Sequence, residues 1–179
     1  MSTRYAMVVD TRLCVACKAC VLACKAENAI PEGYCRDWLV EEVRGEYPNL
    51  TAENRSERCN QCSNAPCVSA CPTGASHVAD GGIVLVTPDK CTGCKACMSA
   101  CPYDARYVTP DGYVDKCTFC IHRVQRGQEP ACVSICPTRT LHFGDLSDPD
   151  STVSRLLRSR PYKVNHPESG ADPNVYFLV

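Results

Sequence analysis

Long hydrophobic runs are missing from this chain. No apolar stretch approaches the roughly 18 residues that cross a bilayer, so the chain is expected not to anchor itself in one. Aromatic residues are few, 7% with one Trp and three Phe. The apolar fraction of 45% counts 17 cysteines among 179 residues; without them about 35% remains, lean for a core of this length. Charge of one sign is missing too. A net charge of −1 points neither to nucleic acid nor to an anionic membrane surface. Residues 1–10 hold no apolar segment of signal length and no twin-arginine pair, which argues against a secreted disulfide scaffold. There is no phosphate-cradling glycine loop, no Ser/His/Asp set and no flavin or nicotinamide fingerprint. No catalytic site, and no small-molecule substrate bound directly, is expected.

What the chain has instead is cysteine in order. Cys91, Cys94, Cys97 and Cys101, followed by Pro102, form C-x2-C-x2-C-x3-C-P, a spacing suited to iron–sulfur clusters: three thiolates take corners of one cubane and the fourth reaches another. Cys14, Cys17, Cys20 and Cys24 repeat it. Cys59, Cys62, Cys67 and Cys71 give a 2-4-3 spacing before Pro72, and Cys117, Cys120, Cys132 and Cys136 give 2-11-3 before Pro137. Four runs use sixteen of the seventeen cysteines and leave Cys35, expected to be a non-ligand. Structural zinc sites use paired C-x2-C from one local region, and the triplets with C-P suit a cubane better. Lean small domains need staples, and here the cofactors supply them. His77, His122, His142 and His166 show no mutual metal spacing, and Trp38 and the tyrosines read as packing. Lys18, Lys25, Lys90, Lys95, Lys116 and Arg58 stand beside ligands, as solvated charge or as groups that raise potentials.

In order, Tyr5 to Val9 reads as a strand, Ala19 to Ala29 as a short helix, and Ile30 to Leu50 as connecting structure with a strand at Trp38 to Val43. Ile83 to Val86 is a strand after the Gly81-Gly82 turn, and Pro110-Asp111-Gly112 turns between short strands at Arg106 to Val108 and Tyr113 to Val114. Asp148-Pro149 starts a helix with Val153, Leu156 and Leu157 on one side. The apolar end, Val175 to Val179, needs burial as a strand on this chain or against a partner.

Runs one and three share one pattern, and runs two and four the other. Two ferredoxin-like units, each with one run of each type, fit the count. Residues 72–90 make a natural connection between runs two and three, leaving run one to pair with run four. Pairing one with two and three with four is also compatible with the spacing. Under the nested pairing, cluster one takes Cys14, Cys17, Cys20 and Cys136, and cluster two Cys117, Cys120, Cys132 and Cys24. Cluster three takes Cys59, Cys62, Cys67 and Cys101, and cluster four Cys91, Cys94, Cys97 and Cys71. All four would then be [4Fe-4S] clusters, fully ligated, able to pass electrons only.

The stretches Cys14 to Lys25, Arg58 to Cys62, Pro66-Cys67-Val68, Cys71 to Ala75, Cys101 to Tyr107, Lys116 to Cys120 and Phe143 to Leu146 resemble the iron–sulfur subunit of molybdopterin oxidoreductases of the dimethyl-sulfoxide reductase superfamily. They look most like the polysulfide/thiosulfate reductase subunits. Cys94 is intact where nitrate reductase relatives carry tryptophan, and the C-terminal membrane helix of formate dehydrogenase relatives is missing. The resemblance implies the nested pairing and an electron path from a molybdopterin catalytic subunit to an integral membrane quinone-reactive subunit. Clusters one and two would face the first, and clusters three and four the second. It also implies a place on the membrane held through a partner, with the periplasmic face favoured because such subunits are exported bound to a signal-bearing partner. The expected fold is α+β: two nested ferredoxin-like two-cluster units of short strands and helices, cofactor-organised, with a C-terminal extension. Residues 1–57 and 111–147 would form unit one, 58–110 unit two, and 148–179 a helix and extended tail. The rival readings are a soluble polyferredoxin shuttle and a zinc-binding structural module.

Overall fold

The strand that opens the chain, β1 (Tyr5–Asp10), lies in the middle of a four-stranded sheet in the computed structural model, which describes residues 3–179. Ala6 to Val9 are wholly buried, as expected of an unbroken apolar run covered on both faces. On one side β1 pairs antiparallel with β8 (Leu141–Asp145). On the other it pairs in parallel with β10 (Val175–Leu178), which pairs with β9 (Tyr162–Lys163). The apolar end therefore packs on its own chain. One face of the sheet sets Met7, Val9, Leu141, Val175 and Phe177 against Phe119 and Cys117. The other sets Val8 and Leu178 against Val153 of α6 (Thr152–Ser159), whose Ser151 cap accepts from Ser154 N at 3.2 Å.

Three two-stranded ladders complete the fold: β2 (Asp37–Glu46) with β3 (Asn49–Arg58), β4 (Ser76–Val78) with β5 (Val84–Val86), and β6 (Tyr107–Val108) with β7 (Val114–Asp115). The first is longer than the sequence suggests. β2 runs on to Glu46, and β3 has no forewarning in the sequence at all. Its residues, NLTAENRSER, show no apolar alternation. Charge holds its outer half to its neighbours: Arg55 reaches Glu42 across the ladder at 3.0 Å and Glu57 at 2.6 Å, and Lys163 reaches Glu53 at 2.8 Å.

The remaining helices belong to the cysteine runs: α1 (Ala19–Glu27), α2 (Pro66–Ser69), α3 (Ala96–Ser99), α4 (Ile121–Val124) and α5 (Ala131–Ile135). Proline sets their lengths. Pro72, Pro102 and Pro137 follow the closing cysteines of three runs, and α2, α3 and α5 stop short of them after four or five residues. Cys24 is followed by Lys25, so α1 continues for nine residues. The helix of run one packs on that of run four, and the helix of run two on that of run three. No helix among the described residues is long and apolar enough to cross a membrane.

Candidate metal centres

Each run bends at the same place. The residue before the second cysteine has positive φ in all four: Ala16 (53°), Gln61 (47°), Gly93 (67°) and Phe119 (51°). Three of these carry side chains that resist this conformation, so the surrounding structure must impose it. A second such bend falls three residues after the closing cysteine of the proline-ended runs, at Gly74, Asp104 and Arg139. Around these bends, backbone N–H groups donate to sulfur: Phe119 N to Cys117 Sγ at 3.4 Å, Val114 N to Cys91 at 3.4 Å, Ser76 N to Cys71 at 3.3 Å and Thr140 N to Cys136 at 3.3 Å. N–H donors favour sulfur that carries charge.

The sixteen run cysteines gather in four groups. Cys14, Cys17, Cys20 and Cys136 edge one void of about 310 Å³. Cys24, Cys117, Cys120 and Cys132 edge another of about 290 Å³, walled by Met7 and Phe119. Cys71, Cys91, Cys94 and Cys97 edge a third of about 300 Å³. Cys59, Cys67 and Cys101 surround Cys62, whose thiol burial and those neighbours push up to about 12. Three settings with the same four-sulfur rim argue for one kind of occupant. A tetrahedral zinc, with Zn–S bonds of about 2.3 Å, needs four sulfurs converging on one point. Among the described residues no three His, Cys, Asp or Glu side chains converge closely enough for a single ion. Soft, all-thiolate donors spread around a void fit a polynuclear iron–sulfur group and not one zinc.

Successive groups adjoin: Arg58 bears on both Cys20 and Cys132, Cys59 on Cys117, and Cys67 on Cys97. Cys17, in the first, and Cys94, in the last, are exposed. Between them lie buried sets, with Cys59 close enough to Cys117 to raise its thiol, together with burial, to about 11. The junction there is hydrogen-bonded throughout. Gln61, 1% exposed, donates to Cys117 O at 2.7 Å and accepts from Val84 N at 2.8 Å. Lys116 Nζ donates to Cys117 O at 2.8 Å and to Val84 O. Asn174, just before β10, donates to Gln61 O at 2.6 Å.

Two buried arginines stand among the sulfurs. Arg58, 1% exposed, reaches Cys132 Sγ at 3.4 Å, Asp37 Oδ1 at 3.3 Å, Met7 Sδ and Ser56 Oγ. Burial pulls its pKa down, but Asp37 and then the Cys132, Cys117 and Cys20 thiolates more than offset that. Burial pushes the Asp37 carboxyl up, with Arg58 and Ser56 working against the rise. Arg106, 5% exposed, reaches Cys67 Sγ at 2.7 Å and Ser76 Oγ at 3.0 Å.

Of the other cations that neighbour cysteines in sequence, Lys25 is turned away from sulfur and ties down a loop at Tyr34 O (2.6 Å). Cys35 is exposed and edges a cleft with Trp38 and Tyr103, apart from the four groups. His77 bonds Ala75 O, His122 pairs with Glu27 and His166 with Glu168; none joins a cysteine group. Sequence reasoning missed Arg106, Gln61 and Asn28. Asn28 sits one helical turn after Cys24 and offers Nδ2 to Cys24 Sγ (3.7 Å) and Cys120 Sγ (3.8 Å), steadied by Arg36 at 2.9 Å. That i+4 spacing was the only signal to be had.

The profile of the 4Fe-4S dicluster domain family matches residues 50–146, and that of a 4Fe-4S binding domain matches residues 12–27. The polysulfide reductase B subunit of Wolinella succinogenes is 43% identical over 99% of this chain and 95% of its own length. The thiosulfate reductase electron transfer subunit PhsB of Salmonella typhi is 41% identical over 96% of this chain and 91% of its own. Protein NrfC homolog of Haemophilus influenzae is 44% identical over 98% of this chain and 80% of its own. The cofactor class is thereby fixed as [4Fe-4S] clusters.

Proposed function

Because the chain belongs to the 4Fe-4S dicluster family of iron–sulfur subunits, we propose that it is the electron conductor of a multi-subunit respiratory reductase, carrying four clusters in a row. The observation that carries this reading is the gathering of sixteen cysteines into four groups of four, each adjoining the next, with an exposed cysteine in the first and in the last. The ligand sets are those of the nested pairing, supported by the packing of α1 on α5 and α2 on α3. Runs one and four then form an outer unit and runs two and three an inner one, in residues 1–57 with 111–147 and in 58–110.

When bound, each cluster takes up and returns one electron. The chain does the rest. Four thiolates per set leave no corner for a substrate, so the subunit conducts and does not catalyse. Met7, Phe119, Val84 and Val114 keep water from the middle of the series, which lowers the reorganisation that each transfer requires. Backbone N–H groups, Asn28 and the buried cations meet the charge that an electron brings.

Electrons need a source and a sink. The likeness to a polysulfide reductase subunit and a thiosulfate reductase electron transfer subunit supports a molybdopterin catalytic subunit at the first cluster and an integral membrane quinone-reactive subunit at the fourth. The chain would then sit against the membrane through that partner, on the periplasmic face. The test is iron, acid-labile sulfide and zinc per chain after anaerobic purification with whatever co-elutes. About sixteen irons and sixteen sulfides, four cubanes of four, with a molybdenum subunit alongside, is the expected result. Zinc without sulfide would overturn it.

A further inference from the structure

We propose that Arg106 is a fixed cation shared by the third and fourth clusters, placed to make both easier to reduce. The inference rests on the four-cluster reading. Arg106 leaves run three five residues after Cys101 and turns its side chain inward, so that Nη2 reaches Cys67 Sγ of the third set. The same Nη2 donates to Ser76 Oγ at 3.0 Å, and Ser76 N donates to Cys71 Sγ of the fourth set at 3.3 Å. The guanidinium thus lies between the two sets and acts on both.

Its partners are too few for a buried charge. Arginine keeps its proton at any working pH and offers five N–H donors. Arg106 uses Nη2 on Cys67 and Ser76, while Nε and Nη1 are buried with no hydrogen-bond partner. No carboxylate pairs with it among the described residues, unlike Arg58, which has Asp37. A buried cation without a counter-charge is costly, so an anion must stand where Nε and Nη1 point. The groups around them are the thiolates of Cys67, Cys59, Cys97 and Cys101, which become permanently anionic on holding a cluster. Each electron then adds one negative charge next to a cation that does not have to move, and net charge near a cluster is a main determinant of its potential.

A purely structural arginine, tying Ser76 of β4 to the inner unit, would shape stability and leave potentials alone. The experiment is an EPR-monitored redox titration of Arg106→Gln and Arg106→Lys in the complex, with iron and sulfide counted on the same samples. In Arg106→Gln the reduction equilibrium of two of the four clusters is expected to fall about tenfold, a midpoint lower by about 59 mV for one electron. The other two should stay, and Arg106→Lys should return the shifted pair towards the parent. Should Arg106→Gln shed inner-unit iron, Arg106→Lys must hold it at parental midpoints. Unmoved midpoints at full iron content would overturn the proposal, as would iron loss in both variants, which would make the fork and not the charge the contribution. A parent protein lacking sulfide would instead defeat the four-cluster reading, before any variant is made.

Discussion

Under the proposed nesting, the outer and inner units hold the same cysteine patterns in unequal settings. The outer unit has the nine-residue α1, two strands of the four-stranded sheet, and Asp37, which with Ser56 neutralises and holds Arg58 at the boundary between the units. The inner unit has two four-residue helices, one short ladder of its own, and an arginine with no carboxylate partner among the described residues. Ligand spacing alone thus does not set the electrostatic surroundings of a cluster. The packing around each pair does, and the outer pair is the better covered and the more evenly balanced in charge.

The exchange of ligands between runs two and three makes the sharpest test of the grouping inside the inner unit. Cys101 belongs to run three but stands with Cys59, Cys62 and Cys67. Cys101→Ala is expected to remove the third cluster, seen as a loss of about four irons and of its EPR signal, while the fourth survives. Loss confined to the fourth would overturn the exchange of ligands between runs two and three.

Next in size is Arg58→Leu, which strands the buried Asp37 beside the outer clusters. Breaking a buried pair from one side costs about 3–5 kcal/mol, to be read as earlier cluster loss in denaturant. Asp37→Asn keeps the shape and removes the counter-charge. It should raise the outer midpoints and bring that pair closer to the inner one, as redox titration would record. Gln61→Leu removes the stitch between units and leaves Val84 N unpaired, for about 1–3 kcal/mol. Its signature is separate unfolding of the two units, visible as two transitions where the parent gives one.

The smallest effect lies in the sheet of the outer unit. Arg160 holds the Asp10 carboxyl below its ordinary range of about 3.9. A depressed carboxyl stabilises the fold above its ordinary pKa and loses that contribution as pH falls through the lowered value. Apparent Tm should therefore drop below pH about 4 in the parent and less so in Asp10→Asn, with cluster content unchanged between the two at pH 7.

The sequence spoke clearest where chemistry fixes spacing. A cubane corner set demands its cysteines at set intervals, so all sixteen candidates could be read off. Spacing could not choose between pairings, because contacts between distant runs leave no local trace; the packing of α1 on α5 is what favours the nested one. β3 was hidden because ion pairs and backbone ladders hold it, and these carry no apolar period. Arg106 and Gln61 were hidden for a related reason. Their partners, Cys67 and Cys117, are near only in the folded chain.

The way the cysteine groups interleave along the chain has a consequence on the ribosome. The fourth group has all its members once Cys97 has emerged, and the third once Cys101 has. The second waits for Cys132, the first for Cys136, and the central sheet for β10 at Val175–Leu178. Translation thus delivers complete inner sites while the outer ones still gape, and the arriving β10 then brings Asn174 against Gln61 between them. A chain interrupted before residue 175 could fill its inner sites yet would lack the strand that pairs with β1, and with it Val175 and Phe177 from the core around Met7 and Phe119.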